Sequence, residues 1–413
     1  MNELAYRGIA GDYIKRIEDQ MECDPIATLV TLLTCFGNII GRKAHFHQQG
    51  SDHFTNIFSC LVGNTAKARK GTSFRFGSAV FRELEPDWYL KNIHSGLSSG
   101  EGFINPIRDA DDDYEDRKQG RKSYDDAPHP GVSDKRMLVK QEEFAATFKV
   151  VDRSGNNLTE YIREAWDSGN LQTMTKRPLR VTNGHISIIG HITKAELLKT
   201  MAATHVANGF GNRFLWFCVR RRRMISWGTK LDITKFPDLL DSFRDAITFG
   251  REIGRIDPSQ AALEYWDQLY QQLSPGLLGT LGMMTSRSEP QVLRLAMIYA
   301  LLDCSPRIEI EHIRAGLAIW EYAENSARYI WGNRVGNPVA DQILKYLKAN
   351  REGVNRKEIH KLFNNNRPAE QITQALSDLV EMGFAVKTTI EIKGRRVDAW
   401  KPTDQAVGIK YYL

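Results

Sequence analysis

Residues 61–73 read Leu-Val-Gly-Asn-Thr-Ala-Lys-Ala-Arg-Lys-Gly-Thr-Ser, a glycine-bearing turn that follows an apolar run and precedes a helical stretch at 74–84. These residue types at a strand-to-helix turn suit phosphate. Gly63 and Gly71 let backbone N–H groups face an anion, and a helix N-terminus adds partial positive charge. Lys70 can reach terminal phosphate oxygens, Thr65 sits within the turn, and Thr72 or Ser73 can hold Mg2+. The spacing departs from the usual phosphate loop: Arg69 rather than Gly precedes Lys70, Gly71 follows it, and Gly63 lies one residue further away. Nucleotide binding is compatible with that departure, and hydrolysis depends on groups further along the chain.

Hydrolysis needs an acid to organise Mg2+, another to orient water, and a cation to meet developing negative charge. Met137-Leu138-Val139 followed by Lys140-Gln141-Glu142-Glu143 has the form of an apolar strand ending in a carboxylate pair. Glu142 then serves the metal and Glu143 the water; the alternative is a helix start with acids at its positive end. The strand 185–192 and the residue after it offer His191 or Thr193 as a sensor of the terminal phosphate; taken singly, His191 also reads as a satisfied structural histidine. In Asn-Gly-Phe-Gly-Asn-Arg-Phe, Arg213 is a candidate arginine finger for a neighbouring subunit's nucleotide, or an arginine paired with a carboxylate. Arg287 and Arg294 are candidates for a second sensor. Gly96-Leu97-Ser98-Ser99-Gly100 matches the serine-hydrolase elbow, with Ser98 as nucleophile and His94 as base. That form requires a full strand before it and a helix after it; the run before it is short and Pro106 soon interrupts. A glycine-rich turn near the nucleotide is the other reading, with Glu101 as a second candidate for orienting water.

Positioning these groups requires alternating strands and helices. Residues 26–40 read as a buried helix started by Asp24-Pro25, with Pro25 in its first turn. Strands are expected at 44–46, 56–62, 137–140, 185–192 and 214–219, with a helix at 160–167 between two of them, the order of an α/β sheet. The stretch 108–135 is rich in charge and poor in apolar residues, and reads as an exposed mobile loop. From 259 to 331 the pattern is helical. A chain of 413 residues with 42% hydrophobic content can bury a large core. No apolar run approaches the roughly 20 residues that span a bilayer, and no secretory leader is visible, so a cytoplasmic protein without membrane contact is expected. The five scattered cysteines read as buried thiols.

Residues 336–413 carry 13 Lys or Arg against 9 Asp or Glu, most of the chain's net charge of +6. Helices are expected at 339–349, 356–363 and 369–382, then a hairpin of 385–392 and 395–401, the order of a winged helix. Its wing tip would carry Lys393, Arg395 and Arg396 to DNA; the acids Glu370, Asp378 and Glu381 on the third helix suit a protein-binding version instead. Arg220 to Arg223 form a second basic run, suited to a polyanion or to a solvated face.

Taken together, VGNTAKARKGTS, HSGLSSGEG, QEEFA, REAWDSGNLQT, HISIIGHIT, NGFGNRFLW and RLAMIYALLD, spread over most of 20–335, resemble the YfjI-like P-loop proteins of prophages, plasmids and integrated elements. That family is often labelled primase- or helicase-associated. The resemblance implies an ATPase core of the RecA-like or AAA+ class, here without an attached primase domain. It lays Lys70 and Thr72 on the phosphate loop, Glu143 on the acidic strand end and Arg213 on the arginine before Phe. The last two segments are also similar to the arginine-finger and second-sensor segments of MCM-type helicases. Gln141 stands where many relatives are expected to have Glu.

The expectation is therefore an α/β P-loop NTPase, RecA-like or AAA+-like, with helical additions and a C-terminal winged helix. Its divisions are an N-terminal helical segment (1–45), the ATPase core (46–258), a helical subdomain (259–335) and the winged helix (336–413). The expected function is an ATP- and Mg2+-dependent DNA motor, a ring-forming replication helicase or helicase loader of a mobile element. It would act on single-stranded or forked DNA beside a separate primase. The competing expectation is a nucleotide-responsive DNA-binding protein without productive hydrolysis.

Overall fold

The structure is a computed structural model. It describes all residues except Met1, 65–67, 112–128, 154, 176–177, 202, 229–230, 278, 333–334, 336, 393 and 408–413. Thr65, Lys393 and most of the expected loop 108–135 thus lie outside the described residues. The stems of that loop are tied: Val132 N–H donates to the Arg108 carbonyl at 2.9 Å, and Lys135 pairs with Asp109 at 2.5 Å.

Two compact units are present. The larger is built on a five-stranded, wholly parallel sheet: β1 Phe58–Gly63, β2 Ile93–His94, β3 Arg136–Gln141, β4 His185–Thr193 and β5 Phe214–Val219, in the spatial order β2-β3-β4-β1-β5. All of β1 and nearly all of β4 are buried. Such continuous apolar runs are what a parallel sheet covered on both faces requires. The chain leaves β1 for the far edge at β2, but leaves β4 for the opposite edge at β5. The connections leaving the neighbouring strands β1 and β4 thus run to opposite edges, and an open α/β sheet binds ligands in the crevice outside the C-terminal ends of such strands.

Helix α1, Pro25–Ile40, packs against β1, β3, β4 and β5, and is buried from Ile26 onward. Its one amide is not wasted there: Asn38 Nδ2 donates to the carbonyls of Met137 and His185 at 3.0 and 3.1 Å, and Trp88 Nε1 donates to Asn38 Oδ1 at 2.9 Å. A buried amide with every bond made fixes β3 against β4. Following β1, α2 covers Lys70–Gly77. The helix expected at 74–84 is interrupted after Gly77 and resumes as Ala79–Leu84. The Ser78 hydroxyl donates back to the Phe74 carbonyl at 2.6 Å, and a Cβ on Gly77 would meet Thr31 of α1 at 2.6 Å. The break thus lets α2 lie directly on α1. Behind the sheet, α3 Phe144–Val151 and α4 Leu158–Asp167 contact β4, and α5 Lys194–Thr200 follows it. A long apolar helix, α6 Ser288–Leu302, is buried along most of its length. One apolar cluster joins the sheet, α1, the N-terminal helix Gly8–Ile17 and the helices up to Ala323.

The second unit includes α7 Pro338–Ala349, a short strand β6 Val354–Asn355, α8 Arg356–Leu362, α9 Ala369–Glu381 and a hairpin of β7 Ala385–Ile392 and β8 Arg395–Pro402. Its strands form one antiparallel sheet in the order β6-β8-β7, and its core gathers Ile343, Leu347, Ile359, Ile372, Leu376 and Trp400. Arg395 and Arg396 begin β8 next to the hairpin turn, with Arg396 opposite Glu391.

Candidate functional site

At the crevice between β1 and β4 a cavity of 570 Å³ opens, lined by Lys70, Gly71 and Thr72 of α2, Glu142 and Glu143, His191 of β4, and Glu196 of α5 among others. Three stretches more than 40 residues apart therefore deliver their chemistry to one place.

Lys70 begins α2, and no side chain caps that helix. The ammonium folds back over the end of β1: a Cβ on Gly63 would come within 2.9 Å of Lys70 Nζ and 2.6 Å of the Ala68 methyl, so only glycine fits. Burial pulls the Lys70 pKa below its usual value, with Cys60 and Glu196 opposing. Of the two hydroxyls after Gly71, Thr72 lines the cavity, while Ser73 is buried and spends its hydroxyl on the Lys70 carbonyl at 2.5 Å. Of the two, Thr72 is therefore the hydroxyl that reaches the cavity.

The acid pair follows β3. Glu142 Oε1 pairs with Lys140 Nζ at 2.8 Å, and that ion pair holds its carboxyl below the usual range. Its carboxylate stands beside the first turn of α2, 3.7 Å from where a Cβ on Gly71 would sit. Glu143 precedes α3 without capping it and is exposed to the cavity. Gln141, where an acid was expected among relatives, is used otherwise: its Oε1 accepts the Gly96 N–H at 3.0 Å and its Nε2 donates to the Glu143 carbonyl at 3.4 Å. It braces the acid pair from an adjoining cavity of 530 Å³, which His94 also lines.

His191 is 2% exposed, and its Nε2 has no hydrogen-bond partner among the described residues. Burial, reinforced by Lys70, lowers its pKa to about 4, so the ring is neutral at neutral pH. Thr193, the other polar group of that strand end, caps α5 in a reciprocal box with Glu196. Its hydroxyl is thereby committed and His191 is the remaining sensor candidate.

No protein-family model matches this chain, and no curated protein matches it.

Other expected residues lie elsewhere. Arg213 and Arg294 belong to the opposite edge of the sheet, where β1 and β5 begin. Arg294 is 1% exposed and donates to Asn56 O, Asn56 Oδ1 and Trp166 O, each at 3.0 Å, with its guanidinium 3.7 Å over the Trp166 ring. That corrects its assignment as a nucleotide contact: its terminal nitrogens are committed to Asn56 and Trp166, away from the cavity. Arg213 is 7% exposed and pairs with Asp167, which Arg287 also meets at 3.3 Å. As an arginine finger it would first have to leave Asp167. Glu101, in the first turn of a short helix Gly100–Ile104, lines neither cavity. Nor does the serine-hydrolase elbow form: β2 is two residues long, and Ser99 accepts the Gly102 N–H at 3.0 Å while Ser98 is exposed.

The run Arg220 to Arg223 is largely neutralised. Arg221 pairs with Glu22, Arg222 with Asp24 at 3.4 Å, and Arg223 with Asp19. Arg69 likewise pairs with Glu22, at 2.8 Å. Sequence reasoning passed over Glu22, because nothing in the spacing links residues 22, 69 and 221.

Proposed function

We propose that the larger unit is a P-loop nucleoside triphosphatase core of the RecA-like or AAA+-like class that binds Mg2+-ATP. The observation that carries this is the convergence of Lys70, Thr72, Glu142, Glu143 and His191 on one cavity at the C-terminal ends of neighbouring parallel strands. The donor set fits the ligand. An uncapped helix start and Lys70 meet phosphate oxygens, and Thr72 with Glu142 supply the few protein oxygens that a phosphate-bound Mg2+ needs. Mg2+, when bound, neutralises charge on the phosphates. Glu143 orients and deprotonates the attacking water, and the neutral imidazole of His191 faces the terminal phosphate. An adjoining cavity of 350 Å³ shares Arg69, Thr72 and Arg75 with the first and adds Phe76, Ala79, Ile225 and Leu231. Its mixed apolar wall suits the nucleoside.

The use of this cycle is proposed to be work on DNA: a ring-forming helicase or helicase loader of a mobile element of the YfjI-like kind, with ATP and Mg2+ as cofactors. The helix-helix-helix-hairpin order of the second unit, with Arg395 and Arg396 at the start of its last strand, supports a winged helix that contacts DNA. The pairing of the buried Arg213 with Asp167 and the committed Gln141 favour a second reading, a nucleotide-responsive DNA-binding protein that does not turn over. ATP turnover with and without single-stranded DNA separates the two. For the motor, turnover rises with DNA, Lys70→Ala and Glu143→Gln each lower it by about 100-fold or more, and Glu143→Gln still binds nucleotide. Undiminished turnover in both variants removes the assignment.

A further inference from the structure

The residue before Lys70 adopts a backbone that the phosphate loop normally reserves for glycine. Arg69 has φ 57° and ψ 31°, the left-handed region, which a non-glycine residue enters at a cost of about 1–2 kcal/mol. Its carbonyl starts α2 by accepting the N–H groups of Thr72 and Ser73 at 3.0 and 3.2 Å, so its conformation sets the direction in which the helix presents its amides. A strained residue keeps such a shape only where its surroundings over-determine it.

Glu22 supplies the determination. Its Oε2 meets Arg69 Nε at 2.8 Å, and its side chain is only 13% exposed. The carboxylate is itself anchored from the segment after β5: the Ile225 N–H donates to Oε1 at 2.9 Å, and Arg221 pairs with the same oxygen. The Glu22 carbonyl accepts the Arg222 N–H at 2.9 Å. One carboxylate thus ties the N-terminal segment and the chain beyond β5 to the phosphate loop, beside the wall that the 570 and 350 Å³ cavities share through Arg69.

We propose that Glu22 is a positioning residue that holds Arg69, and through it the start of α2, in the shape that accepts phosphate, doing by an ion pair what glycine does by lacking a side chain. This rests on the reading of the cavity as a nucleotide site. Within the Arg220 to Arg223 run, Arg221 and the Arg222 N–H acquire a role with it, keeping Glu22 in place.

The test is a double-mutant cycle in the full chain, with Glu22→Gln made in the parent and in an Arg69→Gly background. Two quantities are read: the dissociation constant of Mg2+-ATP, and the hydrogen-exchange rates of the Thr72 and Ser73 amides without nucleotide. Glu22→Gln is expected to weaken ATP binding about tenfold and speed both amides in the parent, but to change either by less than about twofold once glycine stands at 69. A purely structural Glu22, needed only to anchor Ile225 and Arg221, would cost the same in both backgrounds, and that equality overturns the proposal. Exchange rates that ignore Glu22→Gln in the parent overturn it as well. A parent chain that binds no Mg2+-ATP overturns the nucleotide reading and this inference about its phosphate site, whereas ATP binding without the background dependence overturns Glu22 alone.

Discussion

His185 and His191 stand near opposite ends of β4, with 1% and 2% of their surfaces exposed. Burial lowers both, to about 3 and about 4 respectively. Each has one ring nitrogen without a partner among the described residues, so an orphaned nitrogen does not by itself distinguish a site from a core. Their surroundings do. His185 Nε2 donates to the Gly37 carbonyl at 2.7 Å, at an edge where Asn38, Arg136 and Arg294 are likewise spent on backbone carbonyls. His191 faces an open volume with Lys70, Thr72 and the acid pair around it. Polar groups at the beginning of the strands hold the sheet together; those at the ends of the strands are arranged around space for a ligand.

The largest separation between the two edges is expected in stability. Arg294→Ala strips donors from three buried acceptors and the face of Trp166, and should cost roughly 3–5 kcal/mol. Lys70→Ala, at the cavity edge, should change stability by less than about 1 kcal/mol while removing nucleotide binding. Urea unfolding of both variants checks this. Equal losses would erase the distinction between the edges.

Much of this division was beyond reach of the sequence. Strand and helix spans were legible because burial on both faces leaves continuous apolar runs: 214–219 was expected and is observed, and β3 extends the expected strand by one residue at each end. Pro25 at the first turn marked α1 correctly. Long-range pairing was not legible. Arg213 looked like an arginine finger in its glycine-rich segment and Arg294 like a second sensor on its helix, yet their contacts are set by Asp167, Asn56 and Trp166, which only the sheet brings near. Arg220 to Arg223 read as a polyanion surface or a solvated face because their acidic partners lie about 200 residues earlier, in 18–24. The turn from β1 into α2 was legible by residue type, but the left-handed Arg69 and its hold on Glu22 carry no local signal.

A smaller effect should appear with pH. Both histidines are depressed in the fold from a model-peptide value of 6.5, so between pH 6.5 and about 4 the unfolded chain binds protons that the folded chain refuses. Stability from these groups is complete above pH 6.5 and falls with acidification at up to about 1.4 kcal/mol per pH unit for each ring. His191→Gln should remove roughly half of their joint slope, measured by urea unfolding across that range. An unchanged slope would mean that His191 is not held neutral by its burial.

The most direct test follows the two rings by NMR while Mg2+-ATP is added. Phosphate charge arriving beside His191 should raise its pKa from about 4 by roughly one unit or more, and leave His185 near its value of about 3. If saturating Mg2+-ATP moves neither ring, or moves His185 and not His191, the cavity at the ends of β1 and β4 is not where the triphosphate sits.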